Sequence, residues 1–339
     1  MSPNSGLPTN ACGSSNSSSN GSSNNDGCIT GKAQTSQLAL LRLMQIVSQG
    51  SPTGAFSYSQ GLEWAVETGW IYDINTFESW VREQLQGMLA QQELPLMLRF
   101  YRAFEACVSE ARALDQIALD QRALNQRAPE QSSPEQSSLE QSSLEQSSLE
   151  PDALAPAAVE YNAVQTSAVQ LNPLHRPSAQ TYAFETEGSK RVAQLEATVL
   201  SFRETSELRD EERKRGQAMA RLVTQLNSKI KFAGGGRGNS CDCQLSVFTE
   251  YCVVEGIDVL QAMHGYAFAW LENQVMAGIK LVPLGQTSGQ QVLYRLAEKI
   301  DQCVVYAQSV SDDDIGYSSP ALAMASSQHE TQYSRLFRS

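Results

Sequence analysis

Histidine is the residue type this chain has least of. Three occur in 339 residues, His175, His264 and His329, and no two are near each other in sequence. A zinc-protease helix needs H-E-x-x-H; His329-Glu330 lacks the second histidine, because Tyr333 stands in its place. There is no G-x-S-x-G nucleophile elbow and no carboxylate–histidine spacing of a di-iron bundle. The glycine-rich Ala233–Ser240 lacks Gly-Lys-Ser/Thr, follows no strand pattern, and reads as a mobile loop rather than a phosphate cradle. Basic residues are also few: 25 Lys and Arg stand against 37 Asp and Glu, a net charge of -12. That excludes the clustered basic surface nucleic acid requires. With no basic residue before Lys32 and no apolar run at the start, no secretory signal is expected. Seven cysteines at irregular spacings make no disulfide framework and suit a reducing cytoplasm. Cys241, Cys243 and Cys252 lack a fourth ligand at zinc spacing and read as structural thiols. No strand alternation of any length occurs.

What is there is helical periodicity between two polar stretches. Residues 1–36 are Ser, Asn and Gly with little apolar surface to offset ordering, so a disordered leader is expected. Leu38, Leu40, Leu41, Met44, Ile46 and Val47 give a first short helix, stopped by the breakers of Ser48–Gly54. A second runs from Leu62 to near Gly69. Asn75 with Glu78 resembles a capping box for a third, and Pro95 suits the first turn of a fourth. From 111 to 181 a five-residue repeat (ALDQI, ALDQR, SLEQS) matches neither the helical nor the strand period. It reads as a low-complexity insertion without a core role. Order returns near Tyr182 with Val192, Leu195, Val199 and Leu200. A helix capped by Thr205 or Ser206 follows, whose charge-dense Glu204–Arg215 reads as a solvated face with Asp210–Lys214 and Glu211–Arg215 pairs. Further helices are expected over Leu245–Glu255 and from Ser288 to Val305.

The most apolar segment is Asp258–Val282. Leu260, Ala267, Phe268, Leu271, Val275 and Ile279 share one helical face, while Val259, Met263, Tyr266, Trp270 and Ala277 fill the other. An apolar surface nearly all round predicts a buried centre pole, and Glu272, Asn273 and Gln274 exclude a membrane span. Gln261, His264 and Glu272 form a polar patch on this helix: a satisfied core network, a docking surface or, in a rival enzyme reading, a hydrolase acid and base. The tail from Ser326 is too polar to form its own core and too aromatic for an ordinary free end. It is either a segment that orders on a partner or a docked C-terminal helix. The expected architecture is all-α, one helical-bundle domain of about eight to ten helices over 37–339, interrupted at 111–181.

Three stretches resemble one family. Gly54-Ala-Phe-Ser-Tyr-Ser-Gln-Gly-Leu-Glu63, Trp270-Leu-Glu-Asn-Gln-Val with Ile279-Lys-Leu-Val-Pro-Leu-Gly-Gln286, and His329-Glu-Thr-Gln-Tyr-Ser-Arg-Leu-Phe-Arg-Ser339 are similar to the N-terminal, central and C-terminal signatures of the urease accessory protein UreF. The resemblance spans about 37–110 and 182–339. It implies an all-helical, cytoplasmic homodimer without catalytic activity or a cofactor of its own. Its implied partners are the UreD protein (also called UreH), the GTPase UreG, urease apoprotein, and the metallochaperone UreE as nickel supplier. The complex, not this subunit alone, would insert nickel, driven by GTP hydrolysis that the subunit modulates. Carried over by position, Ser57, Tyr58 and Glu63 fall in an N-terminal partner-contact region, and Glu272 and Lys280 in the polar set of the central helices. His329, Glu330, Tyr333, Arg335, Phe337 and Arg338 are implied to order in the complex, mainly against the UreD-type partner. No metal ligand is implied.

Overall fold

The computed structural model describes residues 36–127, 187–227 and 243–338. The expectations for the leader, the insertion beyond residue 127, the return near Tyr182, Cys241 and the glycine-rich loop lie outside these residues. The chain divides into a unit Met1–Gln34, which is not described, and a unit Thr35–Ser339 that holds every element below. That unit is all-α: no strand occurs among the described residues.

Helix α1 (Gln37–Val47) starts at Ser36, whose side chain accepts the Ala39 N–H. It buries Ala39, Leu43 and Ile46, and the Leu38, Leu41 and Met44 stripe expected to pack turns outward. Two apolar stripes overlap on so short a helix, and only the tertiary partner chooses between them. After a 3-10 turn (Ala55–Ser57), α2 spans Leu62–Glu67. Helix α3 (Ile74–Gln84) is capped not by Asn75 and Glu78 but by Asp73 and Thr76, which exchange the reciprocal capping-box bonds. Glu78 is drawn away by two guanidiniums, those of Arg82 at 2.7 Å and Arg295 at 2.5 Å.

Helices α3 and α4 (Leu94–Arg127) are one rod, joined through a π-helical stretch at Leu85–Glu93. Pro95 does lie in the first turn of α4, but no break precedes it. The Leu94 N–H reaches back to Leu89 O, and this widened register carries the rod into the proline. The start of the repeat segment continues α4. Leu114, Ile117 and Leu119 are all more than half exposed there, as a five-residue period on a helix dictates.

Helix α5 (Glu187–Ser201) packs on α4, and α6 (Ser206–Leu226), capped by Thr205, packs on α7 (Gln244–Val254). The expected centre pole is α8 (Val259–Leu281), held at its start by Asp258 and packed against α1, α2, α3, α4, α7 and the two helices that follow it. Gly278 lets the Phe77 ring sit directly on its backbone, a place that a Cβ would fill. One strip of α8 departs from the expectation. Gln261 and Phe268 are exposed, and His264 and Glu272 are half-buried, so the carboxylate that seemed to need a core partner stands at the boundary with water. The single helix expected from Ser288 to Val305 is two, α9 (Gln286–Ala297) and α10 (Ile300–Ser309). Ser319 and Pro320 then open α11 (Pro320–His329), which is followed by the non-helical C-terminal segment 330–338, made of turns and bends.

Candidate interaction site

The backbone at Gln60-Gly61 organises the site. Both residues adopt the left-handed conformation, at φ 54° and 79°, which glycine accepts freely and glutamine does not. The amide of Gln60 reaches three side chains on two elements, α6 and α8. Its Nε2 donates to Glu211 Oε1 at 3.0 Å, and its Oε1 accepts from Trp270 Nε1 and Gln274 Nε2, each at 3.0 Å. At Gly61 an added Cβ would stand 2.9 Å from the Ser326 backbone nitrogen. The missing side chain is therefore what lets α11 lie across the start of α2.

One turn on, Glu63 is buried and collects the tail. Its Oε1 accepts the Leu336 N–H at 2.6 Å, and its Oε2 accepts the Phe337 N–H at 2.8 Å and faces His329 Nε2 at 3.2 Å. Across the same imidazole, which has no solvent exposure, Glu207 Oε2 lies 2.7 Å from Nδ1. Arg335 binds the other Glu207 oxygen at 2.5 Å. Glu330 accepts from the Ser206 N–H and hydroxyl and the Glu207 N–H, which is an acidic side chain at the start of α6. The Ser206 hydroxyl holds its carboxyl below the usual carboxylate range, against a small opposing effect of burial. Phe337 is buried with the Lys280 ammonium 5.5 Å from its ring centre, and the Arg338 N–H donates to Ser57 O at 2.8 Å.

Ser57, Glu63, Lys280, His329, Glu330, Arg335, Phe337 and Arg338 are thus gathered around one docked tail, with Tyr58 buried at the end of the 3-10 turn. In this chain the tail lies against α2 and α6, helical to His329 and non-helical beyond it. Tyr333 is fully exposed and Leu336 is 67% exposed, so the segment is pinned by some residues and presents others. Glu272 stands apart on α8. It is also eight residues from His264 along the helix, about 12 Å at 1.5 Å per residue. That separates the acid–base pair of the enzyme reading, and His264 is engaged with Leu260 O at 2.6 Å and Asp301 at 3.3 Å.

A buried charged network takes in Glu211 and Glu212, which were expected on a solvated face. Arg203, buried between α5 and α6, binds Glu93 at 2.6 Å and Glu212 at 2.7 Å. Tyr266 donates to Glu93 at 3.0 Å, and Glu212 accepts the Leu245 N–H at 3.1 Å. The Glu211–Arg215 pair, at 2.7 Å, is also buried, whereas Asp210–Lys214 is exposed as expected. Burial is the largest effect on the Glu212 carboxyl and acts to raise it, but the charge and hydrogen bond of Arg203, with the Leu245 N–H and Arg215, together hold the group below the usual range. A signal for this was present. The apolar stripe Leu208, Met219, Val223 is interrupted for two turns, and Glu211, Glu212 and Arg215 occupy the same face. Among the described residues no group of three or more His, Cys, Asp or Glu side chains is placed to hold a metal ion. No described helix is long and apolar enough to cross a membrane.

Comparison with known proteins gives a consistent result. A family model described as UreF matches residues 153–297, and so begins inside the 111–181 segment that the three signatures leave out. The urease accessory protein UreF of Pseudomonas putida W619 is 34% identical over 304 residues, covering 90% of this chain and 99% of its own. That of Alcanivorax borkumensis is 32% identical, covering 89% and 98%. That of Klebsiella pneumoniae is 32% identical, covering 88% and 97%.

Proposed function

The chain belongs to the UreF family of urease accessory proteins, and on that premise we propose that it is a cytoplasmic, non-catalytic scaffold for nickel delivery to urease apoprotein. In this reading a homodimer of the chain binds a UreD-type protein and the GTPase UreG, modulates GTP hydrolysis by UreG, and passes on nickel that a UreE-type protein supplies. Nickel is cargo of the assembly.

The observation that carries the reading is the alternation along the tail. His329 and Phe337 are buried, while Tyr333 and Leu336, between and beside them, are exposed. An exposed tyrosine is a residue type enriched at interface hot spots, and Leu336 beside it on the same anchored segment adds exposed apolar surface. The order of the anchors fixes which side chains point outward, and the docked segment loses little further entropy on binding.

The test is a surface substitution rather than a truncation. Removing Ser326–Ser339 would strip buried Ser326, His329 and Phe337 from the core and confound binding with unfolding. Tyr333→Ala with Leu336→Ala should leave the melting temperature unchanged and abolish co-purification with UreD- and UreG-type proteins. Undiminished co-purification would refute the assignment of this surface.

A further inference from the structure

The outward stripe of α1 faces an open groove. Leu38, Leu41 and Met44 repeat at three-residue steps and are each more than half exposed. Across from them stand Leu222 and Leu226, one turn apart near the end of α6, with Leu226 about half exposed. Leu41, Met44, Pro52, Leu222 and Leu226 line the groove, which has a volume of about 490 Å³ and is bordered by the uncharged turn after α1. A contiguous apolar surface of this kind marks an interaction site. Charge narrows what fits it. In a chain of net charge -12, residues 37–62 hold one charged side chain, Arg42, and residues 213–227 hold no Asp or Glu. Glu255, just past α7, is already committed: its buried carboxylate pairs with Arg42 and accepts from Asn227 Nδ2 at 2.9 Å. Arg221, next to Leu222, is exposed and takes part in none of the ion pairs among the described residues. The groove is therefore apolar with a positive edge.

We propose that the groove between α1 and α6 docks an amphipathic helix of another protein. The apolar stripe of that helix lies between Leu41, Met44, Leu222 and Leu226, and its acidic flank lies on Arg221. Two apolar stripes at helical spacing form the kind of groove into which a third helix packs. A second copy of this chain fits less well, because a two-fold contact sets the same positive edge against itself. A lipid surface fits less well too, since anionic bilayers are recognised by clusters of about four to eight Lys and Arg. The groove is separate from the exposed tail residues. Glu207, which holds Arg335, and Leu226 stand nineteen residues apart on α6, roughly 28 Å at 1.5 Å per residue. The proposal therefore stands whether or not Tyr333 and Leu336 meet the partners named above.

The test is fluorescence anisotropy of the full chain with two labelled synthetic helices that share one leucine stripe, flanked by glutamate in one and by lysine in the other. The glutamate helix should bind about tenfold tighter than the lysine helix. Leu41→Glu with Met44→Glu should abolish its binding, and Arg221→Glu should erase the preference between the two helices. The melting temperature should stay unchanged in both variants, because these side chains are exposed. Equal affinity for the two helices, or binding of neither, would overturn the proposal. A change of oligomeric state in the Leu41→Glu, Met44→Glu chain would overturn it by assigning the groove to a second copy. Loss of binding to anionic phosphatidylserine vesicles in that chain would overturn it by assigning the groove to a lipid surface. Should the double variant lose stability, Arg221→Glu decides, and an undiminished preference for the glutamate helix refutes the acidic contact.

Discussion

The Trp270 indole N–H donates to the side-chain oxygen of Gln60 at 3.0 Å, across 210 residues of chain. This bond joins the N-terminal signature to the central one, as Glu63 and His329 join the N-terminal signature to the tail. The three stretches that identify the family are therefore parts of one contact set.

Replacing Gln60 by Ala removes the partner of Trp270, Gln274 and Glu211 together while keeping the left-handed backbone. Each buried donor left without an acceptor costs about 1–3 kcal/mol, so the two together predict a loss of about 2–6 kcal/mol. Urea unfolding followed by tryptophan fluorescence measures it. A loss under about 0.5 kcal/mol would mean that water replaces the amide without cost.

Arg203→Met leaves Glu93 and Glu212 buried without their cation. Breaking such a pair from one side costs about 3–5 kcal/mol, more than removing a surface ion pair such as Asp210–Lys214, which is worth at most about 1 kcal/mol. Thermal melts of Arg203→Met beside Lys214→Met test the contrast, and similar small shifts in both would remove the network from the stability argument.

The network also sets an acid dependence. The folded Glu212 carboxyl is held below its unfolded value by Arg203, despite burial, so it contributes stability above the usual carboxylate range that is lost as pH falls. The melting temperature should drop between pH 5 and pH 3, and Glu212→Gln should be less stable at pH 7 with a shallower acid slope. Parallel slopes in the two proteins would contradict the assignment.

Gly61→Ala places a Cβ against the Ser326 backbone at a left-handed position. The expected cost is about 1–3 kcal/mol, with increased exchange of α11 amides. An unchanged exchange pattern would show that α11 is not held by this close approach.

Burial pushes the Cys252 thiol well above its usual value, so little thiolate forms near neutrality. Iodoacetamide at pH 8 should leave Cys252 unmodified in the folded chain and alkylate it in urea, as peptide mass spectrometry would read. Rapid modification of the folded protein would place the thiol nearer the surface than α7 puts it.

The sequence by itself determined the helical class, the break after Val47, a cap at Thr205 or Ser206, the extent of α8 and the family, because each is written in local periodicity, cap chemistry or a contiguous motif. Which stripe of α1 packs, the joining of α3 to α4 and the burial of Glu211, Glu212 and Arg215 were decided by tertiary structure. A charged residue's fate depends on whether a partner from a distant segment reaches it. Arg203 meets Glu93 across 110 residues, and local spacing holds no record of that meeting. The tail shows the same division: its composition left a partner-ordered segment and a docked helix both open, and only the fold supplied the two carboxylates that face His329.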